Sequence, residues 1–454
     1  MSQREENRMG TVPMGKLLTT MSLPMMASML VQALYNVVDS IFVAKLSSNA
    51  LTAVSLAFPI QSMMIAVAVG TGVGVNALLA RKLGEKKYED ANHVATNGLF
   101  LALISSVAFV LFGLFGVDAF FRAFTDDPVL MVMGRDYTFL CCIFSFGVFL
   151  SIIGERIMQA SGNTFYSMVA QMAGAVTNII LDPLLIFGLL GFPRLEVKGA
   201  AIATIIGQMV SMCAIFYFNF AKNHEVTLSF RGFRPHTRII GEIYRVGLPS
   251  IVMQSIGAFM ALGMNKILMH YSVVAMTVMG IYFKLQSFVM MPIFGLTNAM
   301  VPIVSYNFGA RHRARIVHAI RLSAICSVCI MGAGTILFQV GARSILEVLF
   351  DATPEMIAIG VPALRIISVH FMTGGVSIVL SSTFQALGNG VYSLILSFCR
   401  QILLILPVAW AMARFVGVGG VWWAFPIAEV FSLTMAVMMF RKIYGQKLKY
   451  LEAQ

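Results

Sequence analysis

Asp39 stands in the stretch YNVVDSIFV, residues 35–43, among neighbours suited to oil rather than water. Upstream on the same run lie Ser28, Gln32, Tyr35 and Asn36, mostly three or four residues apart. On a helix that spacing lines one face. A second stripe, Gln171, Gly174, Asn178 and Asp182, and a third, Thr204, Gln208 and Ser211, follow in later apolar runs. Acids, amides and hydroxyls are the groups that hold and pass a proton or cradle a small cation. A charged aspartate at the centre of a bilayer costs about 2.5–3.5 kcal/mol, so intramembrane acids point first to function. Desolvation favours the neutral acid, and a neighbouring carboxylate adds to that. If Asp39 and Asp182 face one cavity, they are expected to take up and release a proton near neutral pH. The plainer alternative is that both acids only hydrogen-bond a helix interface. Asp182-Pro183 is also read as a break in its helix.

Other polar residues within apolar runs have two readings each. Glu155 beside Arg156 is either an interfacial ion pair with snorkelling side chains or a coupling group. Pro24 and Pro249 interrupt backbone bonding inside long helices, giving a static bend or, at Pro24, a hinge that responds to the protonation of Asp39. In the second half of the chain, Lys284 within YFKLQS, Gln254, Asn265 and Glu429 are candidates to line a cavity. Glu429 takes the place that Gln208 holds in the first half.

The elements that position these residues must suit lipid. Of 454 residues, 58% are hydrophobic and 11% charged, against roughly 25% charged in soluble domains. A soluble fold cannot hide so much apolar surface. A spanning helix needs about 20 apolar residues. Twelve runs qualify, at about 15–44, 53–80, 94–117, 132–158, 164–190, 197–220, 240–270, 276–305, 316–341, 357–383, 390–414 and 419–441. They are too long, and alternate too little, for barrel strands. The fold class is therefore an all-α polytopic membrane protein.

The chain also repeats itself. An offset of 225 residues lays Leu23-Pro24 on Leu248-Pro249, Gln61 on Gln286, Gly70 on Gly295 and His93 on His318. An offset of 226 lays MQASGNTFYS on FQALGNGVYS, so that Gln159, Gly162 and Asn163 meet Gln385, Gly388 and Asn389. Each repeat holds six spans. Six is even, so both enter from the same side and are expected to form two pseudo-symmetric lobes about an axis along the membrane normal. The divisions expected are residues 1–14 (cytoplasmic N-terminus), 15–220 (N-lobe), 221–239 (linker), 240–442 (C-lobe) and 443–454 (cytoplasmic C-terminus).

The net charge of +12 falls between the apolar runs rather than on one face. That suits membrane topology and excludes nucleic acid as partner. Twenty basic residues lie in the termini and alternate loops, and six in the intervening loops. Basic loops face the cytoplasm, so both termini are expected there. The start, MSQREENRMG, reads as lacking a signal peptide. The six cysteines lie inside apolar runs and are expected to pack as small hydrophobes. Cys326 and Cys329 form a C-x-x-C with no second pair spaced for zinc. No constellation of nucleophile, base and orienting group is found, so the chain is not read as an enzyme. Gly70-Thr71-Gly72-Val73-Gly74 is read as a close helix contact.

With these features the sequence resembles the multidrug and toxic compound extrusion (MATE) transporters, most like their DinF-like, MepA-like branch. The carriers are the two repeats, LPMMASMLVQALYNVVDSIFVAKL, QASGNTFYSM, TNIILDPLLIFG and QALGNGVYS. The resemblance implies a MATE/MOP-type fold of 12 helices and a V-shaped antiporter that exports lipophilic, often cationic compounds against inward protons or sodium. It implies that Asp39 is central to coupling, that Asp182, Asn178 and Thr204 join its network, and that the first helix bends at Pro24. Branches with acids in the seventh and tenth helices differ here, where Asn265, Lys266 and Arg365 occur.

The expectation is a drug/proton antiporter working by alternating access in the cell inner membrane, without cofactor and as a monomer. Its coupling residues would be Asp39, Asp182 and Glu155, with Asn178, Thr204, Tyr35, Asn36 and Gln32 around them. A sodium-coupled antiporter and a flippase for lipid-linked precursors are the alternatives.

Overall fold

The computed structural model describes residues 7–231 and 233–451. Arg4, the rest of residues 1–6, and residues 452–454 of the expected termini lie outside the described residues. Among the described residues every regular element is helical. The first repeat contributes α1 (Met14–Leu46), α2 (Ser48–Gly84), α3 (Tyr88–Phe115), α4 (Pro128–Ile143), α5 (Phe146–Ala160), α6 (Thr164–Phe187) and α7 (Val197–Lys222). The second contributes α8 (Thr237–Tyr271), α9 (Val273–Gly309), α10 (Arg313–Phe350), α11 (Pro354–Ser368), α12 (Phe371–Ala386) and α13 (Gly390–Phe398). A π-helical segment, Cys399–Ile405, follows α13, and then come α14 (Leu406–Phe415) and α15 (Ala424–Ile443).

Ten continuous helical stretches are long and apolar enough to cross a bilayer. Two bent pairs, α4 with α5 (47°) and α11 with α12 (48°), complete twelve spans if each pair crosses as one. The expected fourth and tenth spans are thus each broken, at Phe144-Ser145 and at Val369-His370. Many large apolar side chains, among them Phe115, Val340, Val348 and Phe415, are exposed. In water they would form a sticky surface; in lipid tails their exposure costs nothing.

The repeat is visible in local geometry. Ser47 caps α2 by accepting from Ala50 N at 3.0 Å, and Ser272, 225 positions on, caps α9 by accepting from Ala275 N at 3.1 Å. Each cap satisfies one of the amides a helix start leaves unpaired. The turns after α2 and α9 place Lys86 (φ 59°) and Arg311 (φ 62°) in the left-handed region. Gly162 (φ 91°) and Gly388 (φ 77°) make the matching turns after α5 and α12, where glycine carries no steric penalty.

The chain falls into two compact units, and their limits differ from the lobes expected from sequence. Of the described residues, one unit takes in Asn7–Arg8 and Ala27–Ile251; the other takes in Met9–Met26 and Val252–Leu451. The crossings lie inside α1 and α8, two residues after Pro24 and Pro249, not in the 221–239 segment. The reason is that this segment is tied to the first unit. Thr227 N donates to Asn92 Oδ1 at 2.8 Å, and His236 N donates to Asn97 Oδ1 at 3.1 Å. In the first unit, a Cβ on Gly70 would lie 2.7 Å from Ile251 N, and one on Gly74 would lie 2.2 Å from Ile243 O. The first half of α8 therefore packs against the glycine run of α2. In the second unit, a Cβ on Gly295 would lie 2.6 Å from Met26 Cα, so the first half of α1 packs against α9 in the same way. Segment 9–12 is held there too: Asn307 Nδ2 donates to Met9 O at 3.1 Å, and Arg315 Nη2 donates to Met9 O at 3.0 Å and Val12 O at 2.7 Å.

Candidate ion and ligand sites

Three helices of the first unit bring the polar stripes together. α6 and α7 approach through glycine: a Cβ on Gly174 would lie 2.7 Å from Gly207 O, and one on Gly207 would lie 2.7 Å from Gly174 O. Backbones that close carry the next side chains into contact. With its amide turned to suit both neighbours, Asn178 donates to Asp182 Oδ2 at 3.2 Å. Its carbonyl then accepts from Thr204 N at 3.1 Å and Thr204 Oγ1 at 3.3 Å. Asn178, Asp182 and Thr204 are all buried. α6 runs unbroken through Asp182-Pro183, so the helix break expected there is absent. Pro183 simply withholds its own amide hydrogen bond.

α1 places Asp39 against this triad. The Asp39 and Asp182 carboxyls lie within hydrogen-bonding reach of each other. The Oδ1 atom of each is buried without a protein donor. Ionised carboxylates only accept, so one bound proton would supply the missing donor. Such a pair is a place to store a single proton, because two negative charges this close repel strongly. Tyr35, one helical turn before Asp39, borders both acids.

Beside them the unit holds a cavity of about 160 Å³. Gln32 and Tyr35 of α1, Gln171 and Asn178 of α6, and Thr204 and Ser211 of α7 contribute to its lining. Gln171 Nε2 donates to Gln32 Oε1 at 3.4 Å across it. Glu155 and Arg156 of α5 line the same cavity. Ser151 Oγ reaches Glu155 Oε1 at 3.5 Å and lies 3.0 Å from Ser211 Oγ. Arg156 Nη1 donates to Gln159 Oε1 at 3.1 Å. Asn36 is exposed and lies outside this lining; its position beside Tyr35 turns it off the shared face.

Sequence reasoning missed one part of the site. Gln61 Nε2 of α2 donates to the hydroxyl of Tyr137 at 3.0 Å and lies 3.8 Å from Cys141 Sγ, both on α4. Tyr137 is buried with Asp39 among its electrostatic neighbours. The signal available was Gln61 itself, a polar residue in an apolar run that the repeat matches with Gln286.

The second unit has its own cavity, of about 350 Å³. Of the residues expected there, Glu429 lines it. Gln254 and Lys284 are exposed and lie outside its lining, as does Asn265. A lysine at such a place keeps its ammonium accessible rather than burying it unpaired. The cation in this cavity is instead Arg400, carried by the π-helical segment with Gln401, and His370 enters at the α11–α12 break. Gln286 lines it as well.

A family model named MatE matches residues 24–184 and 249–411, one match in each repeat. The chain is 27% identical over 434 residues to the multidrug export protein MepA of Staphylococcus aureus strain MSSA476, covering 94% of this chain and 93% of that protein. It is similar to a structure described as the outward-facing conformation of a multidrug resistance MATE family transporter of the MOP superfamily. That likeness has a TM-score of 0.92 at 26% identity and covers 99% of this chain and 100% of that one. A crystal structure of a MATE protein in complex with MaL6 aligns with the same TM-score at 27% identity, covering 98% and 100%. Two matched repeats, ten to twelve helical spans and a polar cluster beside a cavity agree with these likenesses: the chain is a multi-pass membrane transporter, not an enzyme, and it belongs to the MATE family.

Proposed function

We propose that this protein exports lipophilic, often cationic compounds in exchange for inward protons. The observation that carries the reading is the carboxyl pair, Asp39 within hydrogen-bonding reach of Asp182, tied by Asn178 to Thr204 and bordering a cavity. The relatives' description as multidrug export proteins supports the substrate class.

The charge logic is alternation. A proton arriving from outside removes one negative charge from the pair, which weakens the hold on a cation and releases it. Loss of that proton to the cytoplasm restores negative charge, and a new cation is favoured. A ligand shifts a two-state carrier only as far as its affinities for the two states differ; the exchanged charge supplies that difference. Glu155, lining the same cavity, belongs to the coupling set, and Pro24 is where α1 bends. Both termini are cytoplasmic in this reading, the membrane is the cell's inner membrane, and the monomer is the working form.

The test is ethidium export from vesicles under separate proton and sodium gradients. Wild type should pump under a proton gradient alone, and Asp39→Asn should fall to the leak rate. Equal pumping by the mutant would sink the reading. Export under sodium alone would transfer the same oxygens to a sodium site.

A further inference from the structure

The cavity of the second unit is built differently from that of the first. Its lining carries one guanidinium, one carboxylate and one imidazole: Arg400, Glu429 and His370. Arg400 Nη1 lies 3.6 Å from Glu429 Oε2, longer than the roughly 2.7–2.9 Å of a full charge-assisted hydrogen bond. Glu429 is 3% exposed and its other oxygen accepts from Ser377 Oγ at 2.5 Å. Arg400, 23% exposed, has five N–H donors, and among the described residues Glu429 is its ion-pair partner. Its remaining donors face the cavity. The π-helical turn Cys399–Ile405 widens the helix at this point, a device often found at functional sites.

Apolar and aromatic surface completes the chamber. Phe425 stacks on the His370 ring at 5.8 Å, and Phe283, Phe294 and Met290 line the walls. His370 Nδ1 is engaged by Ile367 O, which holds the ring in place. Gly374 lines the cavity beside the acid, where a Cβ would lie 3.7 Å from Glu429 Oε2, an ordinary contact. At about 350 Å³ the space falls in the range of small-molecule sites.

We propose that this cavity is a binding site for aromatic zwitterions, which set a carboxylate on Arg400 and an ammonium on Glu429 while the ring lies among Phe283, Phe294 and Phe425. Charge balance selects that class. Arg400 and Glu429 together are neutral. A cation or an anion alone would leave one buried charge without its partner, which is strongly unfavourable. A molecule bearing both charges completes a ring of four alternating charges and leaves the site neutral. The long Arg400–Glu429 contact leaves both groups geometrically free to take those partners. This site lies outside the carboxyl pair of the first unit and stands whether or not that pair carries protons.

The test uses three probes with one ring: phenylalanine (zwitterion), phenethylamine (cation) and 3-phenylpropanoate (anion). Binding to the purified full-length protein in neutral lipid nanodiscs is measured by calorimetry. Phenylalanine should bind roughly tenfold more tightly than either singly charged probe, as expected for one added charged contact. Arg400→Gln and Glu429→Gln should erase that preference, and Asp39→Asn should keep it. Ser287→Trp, which adds bulk to the lining from an exposed position and leaves Arg400 and Glu429 unaltered, should abolish binding of phenylalanine even if the charge variants fail to fold. Equal affinity for the three probes, no binding by any of them, or a preference that survives in Ser287→Trp would each overturn the proposal.

Discussion

Gly70 of α2 stands so close to Ile251 of α8 that a Cβ on the glycine would meet the Ile251 backbone nitrogen at 2.7 Å. Real side chains do not approach backbone that closely, and backbone cannot swing aside. The same relationship recurs 225 residues on, between Gly295 of α9 and Met26 of α1. Each repeat's second helix therefore receives the first half of the other repeat's opening helix, within one compact unit. Gly70→Ala and Gly295→Ala are expected to destabilise the protein by about 1–3 kcal/mol each, the usual cost of forcing extra volume into a packed site. Thermal unfolding in detergent should show the loss. Gly241→Ala, where a Cβ meets open space, should show none.

Asn178 is the joint between Asp182 and Thr204. Asn178→Ala would leave Asp182 without its amide donor, a loss of about 1.5 kcal/mol or more for a hydrogen bond to a charged group. Counted wholly against the transport barrier, that is a rate lower by roughly one order of magnitude. Thr204→Val should cost less, because the Thr204 backbone amide still donates to Asn178. Initial rates of ethidium export at matched protein levels give the comparison. A Thr204→Val defect larger than that of Asn178→Ala would contradict this order.

Glu85 ends α2 outside the spanning segment. Burial pushes its carboxyl up, but the hydrogen bond from Lys87 and the charges of Lys82 and Arg81 outweigh burial and hold it below the ordinary value. Arg81 Nε and Lys87 Nζ each lie 3.0 Å from it, and Lys82 Nζ lies 3.5 Å away. A depressed folded-state value stabilises the fold above the unfolded carboxylate range, and that contribution fades as pH falls through the folded value. Wild type should therefore unfold at a higher temperature than Glu85→Gln at pH 7. The gap should close below about pH 4. A gap that stays constant with pH would show that the ion pairs contribute nothing there.

The sequence was enough to specify a helical membrane protein, two six-span repeats and the acids worth attention. Those features depend on composition, period, local spacing and self-similarity at a fixed offset, and each can be read along the chain without knowing a single contact. Asp39, Asn178, Asp182 and Thr204 were legible because a polar residue inside lipid is costly wherever it folds. Gln61 and Tyr137 were not, since their pairing joins residues 76 apart and a single hydroxyl or amide carries no period. In the second unit the place of Lys284 inside an apolar run favoured it, yet Arg400 is the cation that enters the cavity. Arg400 sits on a π-helical turn, and no local pattern announces such a turn.

The unit boundaries also needed the third dimension. The 221–239 stretch has the composition of a linker, but hydrogen bonds to Asn92 and Asn97 hold it to the first unit. The chain instead changes units within helices, just after Pro24 and Pro249. Sequence alone determined what the chain must be made of and which groups are expensive to bury. Tertiary structure decided which helix halves pack together and which of those groups meet, because contact between distant residues is set by backbone approach at a few glycines, and that is a property of the packed assembly rather than of any local stretch.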